Sequence, residues 1–309
     1  MTARVARAAA ALVVPALCAA CGIDLTPPAE WTPWDAIDPP LQPELGAPPL
    51  EPASSQRAVS IDPLRVVTYN VATGVTLDEV GEALAADPEL ATAGLLLLQE
   101  LESYPGEGAS RAAILAERLG LAYAYIPSRE KKDGTHGLAI LSAFPIDGLA
   151  VMVLPDAGVP LTGAVRIAAR ADVHIEGRVV AIVDLHLDTS LNIGERMVEL
   201  RPAVIDQPDA VIVAGDFNTN DFIWADGAVP LTPVASAVDT EQAPMIDEFM
   251  ARLGYQAPTA GFGPTESHLG VESRLDSIYV RGYPTGAGGV VRSVDASDHW
   301  PVWLDVELP

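Results

Sequence analysis

From residue 62 onward, short apolar runs alternate with amphipathic stretches. The strand-like runs are 65–71 (RVVTYNV), 94–101 (GLLLLQEL), 136–142 (HGLAILS), 163–173 (GAVRIAARADV), 178–188 (RVVAIVDLHLD), 209–218 (DAVIVAGDFN), 273–282 (SRLDSIYVRG) and the terminal 302–308 (VWLDVEL). Helical patterning falls at roughly 77–87, 109–119, 194–206 and 244–253. Runs such as LLLL and VIVA are apolar at every position. A strand with one wet face alternates, so these are strands buried on both faces, which predicts an α/β architecture with helices covering the sheets. The last run does alternate, with Val302, Leu304, Val306 and Leu308 against Trp303, Asp305 and Glu307. It follows Ser297-Asp298-His299-Trp300-Pro301, where the proline sets a bend at the strand's mouth.

Ahead of this domain, at 62–309, the pattern is different. Residues 1–21 carry Arg4 and Arg7, then an uncharged apolar run too short to span a bilayer, then small residues before Cys21. That is the layout of an export signal. The ending Leu17-Cys18-Ala19-Ala20-Cys21 resembles a bacterial lipoprotein cleavage box, in which Cys21 becomes the lipidated first residue; Cys18 departs from the usual leucine and leaves ordinary secretion as the alternative. Residues 22–61 are proline-rich and without period, and read as an extended spacer between membrane and domain. Trp31 and Trp34 within it either stay in that loose spacer or dock on the domain.

Composition narrows the chemistry. Both cysteines lie in the leader, so the exported chain holds no disulfide and depends on its core. The formal charge is −24, from 18 Lys and Arg against 42 Asp and Glu. Such a surface repels polyanions and gives no electrostatic footprint for nucleic acid. It also adheres poorly to anionic lipid, so a membrane tether would be the lipid itself. A monomer is expected.

Polar residues fall where the apolar runs stop: Asn70, Glu100, His186, then Asp216 and Asn218. Singly, each is an ordinary strand terminator. Together they matter, because neighbouring strand ends in a buried sheet gather at one edge, where α/β folds place ligands. Glu100, Asp216, Asp276 and Asp298 would bring four carboxylates into one cleft. Such a cluster repels itself unless cations sit among it. His186, His299, Arg166 and Arg274 offset part of the charge. Oxygen donors with no cysteine and few histidines select Mg²⁺, or Mn²⁺ and Ca²⁺, over zinc.

The ordered set YN (69–70), LQE (98–100), GLAILS (137–142), DLHLD (184–188), GDFNT (215–219), SRLDSIYV (273–280) and SDHWPV (297–302) resembles the endonuclease/exonuclease/phosphatase superfamily, which includes deoxyribonuclease I, neutral sphingomyelinases and inositol-polyphosphate 5-phosphatases. The resemblance implies a four-layer α/β sandwich of two mixed sheets packed face to face with helices outside. It implies Glu100 as the main metal ligand, helped by Asn70 and Asp298. Asp216 would activate the attacking water, Asn218 and His186 would bond the phosphate oxygens, and His299, fixed by Asp276, would stabilise the transition state. Arg166 and Arg274 are either site residues or supporting salt bridges. His186, where abasic-site nucleases of the family carry asparagine, places the chain on the deoxyribonuclease I, sphingomyelinase and 5-phosphatase side. A phosphoester hydrolase of small or lipid-linked substrates is expected, with a secreted nuclease as the alternative and a non-catalytic interaction module as a third reading. In SREKKDGTHG, Arg129, Lys131 and Lys132 either meet a substrate phosphate or form a solvated turn; Phe222 and Trp224 either stack on a substrate or cover the core.

Overall fold

The computed structural model describes residues 29–47, 59–74, 76–160, 164–228, 238–268 and 271–309, with His268 described by its backbone alone. The expected export signal and Cys21 lie outside the described residues. Along the chain the strands are β1 (Thr32–Pro33), β2 (Glu44–Gly46), β3 (Leu64–Asn70), β4 (Leu95–Ser103), β5 (Ala122–Lys131), β6 (Gly134–Ser142), β7 (Ile146–Val153), β8 (Ile167–Ile175), β9 (Arg178–His186), β10 (Val211–Asp216), β11 (Glu266–His268), β12 (Val271–Ser273), β13 (Asp276–Arg281), β14 (Thr285–Val290) and β15 (Val302–Val306). The helices are α1 (Leu77–Ala86), α2 (Arg111–Leu119), α3 (Ile193–Val204) and α4 (Gln242–Arg252).

Two mixed sheets result. One runs β1-β7-β8-β9-β10-β13, the other β14-β15-β3-β4-β6-β5-β2, and β11 with β12 forms a separate hairpin. The pairs β3/β4 and β9/β10 are parallel, whereas the other strand pairs within the sheets are antiparallel. Successive side chains point to opposite faces of a strand, and this divides each apolar run between two cores. In β4, Leu95 and Leu97 enter the core between the sheets, while Leu96 and Leu98 pack under α1 and α2. In β10, Ile212 and Ala214 face the other sheet, while Val211 and Val213 pack under α3 and α4. The architecture is the four-layer sandwich expected, helices outside and sheets face to face.

Several strands escape the hydrophobic pattern. β5 carries Pro127 and a charged tail, β7 contains Gly148, and β14 is largely glycine. The proline-rich segment also departs from a free spacer over residues 29–47. β1 pairs with β7 at the edge of one sheet and β2 with β5 at the edge of the other. Trp31 packs against the α3/α4 core, with the Arg170 guanidinium 5.0 Å from its ring, and Trp34 lies against the inter-sheet core. Short strands capped by proline protect open sheet edges, a use of proline compatible with unpaired donors there.

One polar bridge crosses the dry layer between the sheets. Gln99 of β4 donates from Nε2 to Asp184 Oδ1 of β9 at 2.7 Å and to Thr68 Oγ1 of β3 at 3.2 Å. All three side chains are buried. Burial pushes the Asp184 carboxyl well above its ordinary range, against the bond from Gln99, so the fold holds it as the neutral acid. An unfolded chain releases that proton near pH 4. Stability is therefore full below about pH 4 and declines as pH rises towards the folded pKa. Asp184→Asn keeps the acceptor and removes the titration. Its unfolding free energy should match that of the parent near pH 4 and exceed it increasingly above, by up to about 1.4 kcal/mol per pH unit. Melting curves across pH check this, and a pH-independent difference would contradict it.

Candidate active site

The inter-sheet core ends in polar side chains because four of the strands that fill it, β3, β9, β10 and β13, carry one at that end. Asn70 continues the inner-face series Val66, Thr68; His186 continues Val180, Ile182, Asp184; Asp216 continues Ile212, Ala214; Asp276 precedes Ile278 and Val280. Register then sets them side by side, since Asp216 is the pairing partner of His186 on β9 and of Asp276 on β13. Gly215 makes this approach feasible: its φ is 149°, and a Cβ there would lie 2.0 Å from the Leu185 carbonyl oxygen.

Glu100 reaches the site by a different route. Alternation would send it with Leu96 and Leu98 towards the helices. A bulge in β4 shifts the register between Leu98 and Leu101, and Glu100 sits at φ 62°, a left-handed conformation unusual for a residue with a side chain. Its carboxylate lies 4.0 Å from His186 Nε2 and 3.9 Å from His136 Nε2. Asn218 is likewise left-handed at φ 50°. Both strained residues lie at the cleft, where strain is retained when the surroundings impose it.

Asp216 is the hub. Its Oδ2 accepts from Asn70 Nδ2 at 3.0 Å and lies 3.4 Å from His186 Nε2 and 3.9 Å from His299 Nε2, while Oδ1 accepts from the Asn218 amide at 2.8 Å. Burial and the neighbouring Asp276 raise its pKa to about 6, against the charge of His299 and the bond from Asn70. His299 Nδ1 donates to Asp276 Oδ2 at 2.8 Å, and the same oxygen accepts from Thr265 Oγ1 at 2.7 Å. Burial alone would make His299 neutral, but Asp276 above all, then Asp216 and Asp298, raise it to about 10. The site thus pairs a cationic imidazole with a carboxylate poised near neutrality.

His186 is the opposite case. Burial, then the Arg166 guanidinium, hold it well below its usual range and so neutral. Arg166 Nη1 lies 2.9 Å from its Nε2, and Arg166 Nε lies 3.8 Å from Asp188. For Glu100, burial works against the charged form, but the imidazoles of His136 and His186 and the Arg166 guanidinium outweigh it and hold the carboxyl well below the usual range.

The other residues singled out from the sequence have partners of their own. Arg274 pairs with Asp247 at 2.6 Å, an acid also bonded by Tyr279, so it steadies β13 rather than the chemistry. Asn218 Nδ2 donates to the Leu187 carbonyl at 2.9 Å, which fixes the loop after β10. Asp298 is exposed, with Ser297 Oγ 3.2 Å from its carboxylate, whereas the adjacent His299 is buried. Phe222 and Trp224 form an edge-to-face pair at 6.1 Å, and the Trp224 backbone carbonyl accepts from Asn192 Nδ2 while its amide donates to Asn192 Oδ1, Asn192 being the N-cap of α3. Lys131 pairs with Glu102. Two site residues were outside the sequence reading: His136, which stands beside Glu100, and Thr265, which orients Asp276. His136 carried a usable signal, a histidine opening an apolar strand; Thr265 carried none.

The family model for endonuclease/exonuclease/phosphatase proteins matches residues 67–299. The chain belongs to the endonuclease/exonuclease/phosphatase family. It is a phosphoester hydrolase of that family by this match, with a buried Asp216, Asp276 and His299 cluster. A family member from Beutenbergia cavernae DSM 12333 has 20% identity and a TM-score of 0.61, over 79% of this chain and 71% of that one. A mannosyl-6-phosphatase from Bacteroides thetaiotaomicron VPI-5482 has 18% identity and a TM-score of 0.55, over 79% and 100%. A 3′ phosphatase from Neisseria, bound to a product DNA hairpin, has 19% identity and a TM-score of 0.55, over 79% and 100%. At these identities the likeness is one of fold. No curated protein matches the sequence.

Asp216, Asp276 and His299 each offer a ligand atom within 4.8 Å of the others, a grouping that could hold an ion. The 2.8 Å bond between His299 and Asp276 already occupies one lone pair of that set. Removing the charge from Asp276 tests the electrostatics directly. In Asp276→Asn, burial is left to dominate and should draw the His299 pKa down from about 10 by at least one unit. Side-chain ¹⁵N chemical shifts of the imidazole across pH report it; an unmoved titration would assign the charge to another partner.

Proposed function

We propose that the chain is a divalent-metal-dependent phosphoester hydrolase acting outside the cytoplasm on a small or lipid-linked phosphate ester. The observation that carries this reading is the division of labour around Asp216: a buried carboxylate with pKa about 6 lies beside an imidazolium with pKa about 10. Water attack on a phosphate ester needs a base on one side and positive charge where the equatorial oxygens gain negative charge. Asp216 takes the proton of the attacking water. His299, held in its charged form by Asp276, faces the developing charge. Neutral His186, oriented by Arg166, bonds a phosphate oxygen, and the remaining amide hydrogen of Asn218 is available to another.

The donors fit a hard divalent cation. Glu100 is ionised, its oxygens are held no closer than 3.9 Å to the neighbouring imidazoles, and Asn70 and Asp298 add oxygen atoms. Asn70 Oδ1 accepts from the Ala72 amide at 3.0 Å, which aims the side chain and leaves a second lone pair. We assign the ion to Glu100, Asn70 and Asp298, and Mg²⁺ is the expected occupant, with Mn²⁺ and Ca²⁺ as alternatives. When bound, it polarises the phosphate and neutralises charge.

The substrate class rests on the net charge of −24, which opposes duplex DNA, and on His186. The purified chain should hydrolyse bis(p-nitrophenyl) phosphate with Mg²⁺ and lose activity with chelator. Rapid Mg²⁺-dependent cleavage of plasmid DNA, with small diesters and phospholipids untouched, would select the nuclease reading; no turnover with any divalent ion would select the interaction module. His299→Ala should lower kcat by about a hundredfold or more with little change in Mg²⁺ dependence, as for loss of a principal electrostatic group. Asp298→Ala should raise the Mg²⁺ concentration required, and excess metal should recover part of the rate. Equal effects on metal dependence would refute the division.

The location is a proposal on the same footing, drawn from the leader and its terminal Cys21. Cys21→Ser should move the protein from the membrane fraction to the soluble fraction with specific activity unchanged. Retention in the membrane would refute a lipid anchor.

A further inference from the structure

His186 and Asp216 stand on the last rung of a parallel ladder. Asp216 of β10 opposes His186 of β9, and one further bond runs from the Leu187 amide to the Asp216 carbonyl at 2.9 Å. Both strands end there and continue as loops. The 3.4 Å approach of His186 Nε2 to Asp216 Oδ2 therefore depends on what holds the two loops together.

That role falls to Arg196 of α3, whose side chain is fully buried. A guanidinium carries five N–H donors in a fixed fork, and here the fork meets five acceptors. Nη1 donates to the carbonyls of Asp188 at 2.7 Å and Phe217 at 2.9 Å. Nη2 donates to the carbonyls of Leu191 at 2.8 Å and Thr189 at 3.4 Å, and Nε to Gln242 Oε1 at 3.2 Å. Asp188, Thr189 and Leu191 follow His186 in the chain, whereas Phe217 follows Asp216. One nitrogen thus ties the loop after β9 to the loop after β10.

The helices on the outer face complete the clamp. Glu199 lies three residues after Arg196 on the same face of α3, and its Oε2 accepts from the Asp188 amide at 2.9 Å. Asp188 is held at both its amide and its carbonyl, and its carboxylate lies 3.8 Å from Arg166 Nε, the guanidinium that touches His186. From α4, the buried Gln242 accepts from Arg196 and donates its Nε2 to the Phe222 carbonyl at 3.0 Å, further along the loop after β10. Burial lowers the Arg196 pKa to about 10, against the carboxylates of Glu199, Asp216 and Asp188, so the group stays cationic at neutral pH. An apolar side chain of similar volume would avoid the desolvation of a buried cation but would leave four carbonyls unbonded. A cation is kept where it organises both loops at once.

We propose that Arg196 is a positioning residue of the hydrolysis: from outside the cleft it sets His186 against Asp216 by locking the loops that follow them. Its effect on rate rests on the phosphoester-hydrolase reading. Its effect on geometry does not, and the two are measured separately.

Arg196→Lys keeps the charge but replaces the fork with a single ammonium, which cannot serve both loops. A displacement of about 1 Å at reacting groups costs roughly a hundredfold in rate. Arg196→Lys should therefore lower kcat for bis(p-nitrophenyl) phosphate, counted per folded molecule, by about tenfold to a hundredfold, and Arg196→Met by more, with KM within about threefold in both. At fixed pH, the imidazole ¹⁵N shifts of His186 should move in Arg196→Lys, while those of His174, which pairs with Asp147 on the surface, stay in place. Gln242→Met removes one acceptor only and decides the matter if Arg196→Lys does not fold; it should lower kcat by about threefold or more and move the same His186 shifts. A folded variant that kept the parental kcat and His186 shifts, its loss confined to the thermal midpoint, would leave Arg196 a packing role and overturn the proposal. A raised KM with kcat unchanged would overturn it too, by placing the effect on substrate binding. Absence of turnover in the parent chain would refute the hydrolase reading, and the His186 shifts would still decide whether Arg196 sets the geometry.

Discussion

The two sheets face each other across a buried layer, and each strand must present every second side chain to it. That constraint makes the layer apolar along its length and confines polar side chains to places where hydrogen bonds or an opening compensate their burial. Asp184 meets it inside the layer, as a neutral acid bonded by Gln99. Asn70, His186, Asp216 and Asp276 meet it at the end of the layer, where the same inner-face series runs out into the cleft. The site is the edge of the core, and the rigidity of the core fixes its geometry.

Electrostatics then follow from crowding. Asp216 and Asp276 are paired across β10 and β13, so their side chains share a face and Asp276 opposes the ionisation of Asp216. His299 arrives from the other sheet, just ahead of β15, and settles the conflict by bonding Asp276 and standing 3.9 Å from Asp216. The result is an asymmetric pair of acids, one committed to the imidazolium and the other available near neutrality. His186 is as buried as His299 but faces a guanidinium in place of a carboxylate, and its charge is suppressed. Two imidazoles in one cleft thereby take opposite roles through their partners alone.

Much of this was legible in the sequence. Continuous apolar runs gave the buried strands, their polar terminators gave Asn70, His186 and Asp216, and the contrast between Asp298 and His299 at a proline bend matches one exposed and one buried side chain. What could not be read was whatever breaks the two-residue period. β5 interrupts its apolar pattern with Pro127, and β14 offers glycine where a strand needs side chains, yet both are held by partners distant in sequence. The proline-rich segment has no period at all and still supplies an edge strand to each sheet, because an edge asks for backbone groups rather than an apolar face. Arg274 was open between a site residue and a supporting salt bridge, and Asp247 of α4 takes it into the salt bridge, with a partner that no local pattern encodes.

The bulges show why the period must break where it does. A strictly regular β4 would turn Glu100 under the helices and leave Gln99 facing the cleft, exchanging an ionised ligand for an amide. Moving Glu100 along the chain by one residue would restore its direction but remove Gln99 from Asp184 and open an unsatisfied polar group between the sheets. A single extra residue in a left-handed conformation serves both: Gln99 stays with the layer and Glu100 enters the site. The strain at Glu100 is local, of order 1–3 kcal/mol for such a residue. The alternative is a buried polar bridge broken along with the site, so the bulge is the less costly solution. The same logic applies in β5, where the extra residue lets Ser128 bond the His136 carbonyl at 2.8 Å while Arg129 takes the inward position. In β4 and β5 the departure from regular pairing turns Glu100 and Arg129 to the inner face, whereas the shifts in β7 and β14 lie elsewhere in the sheets.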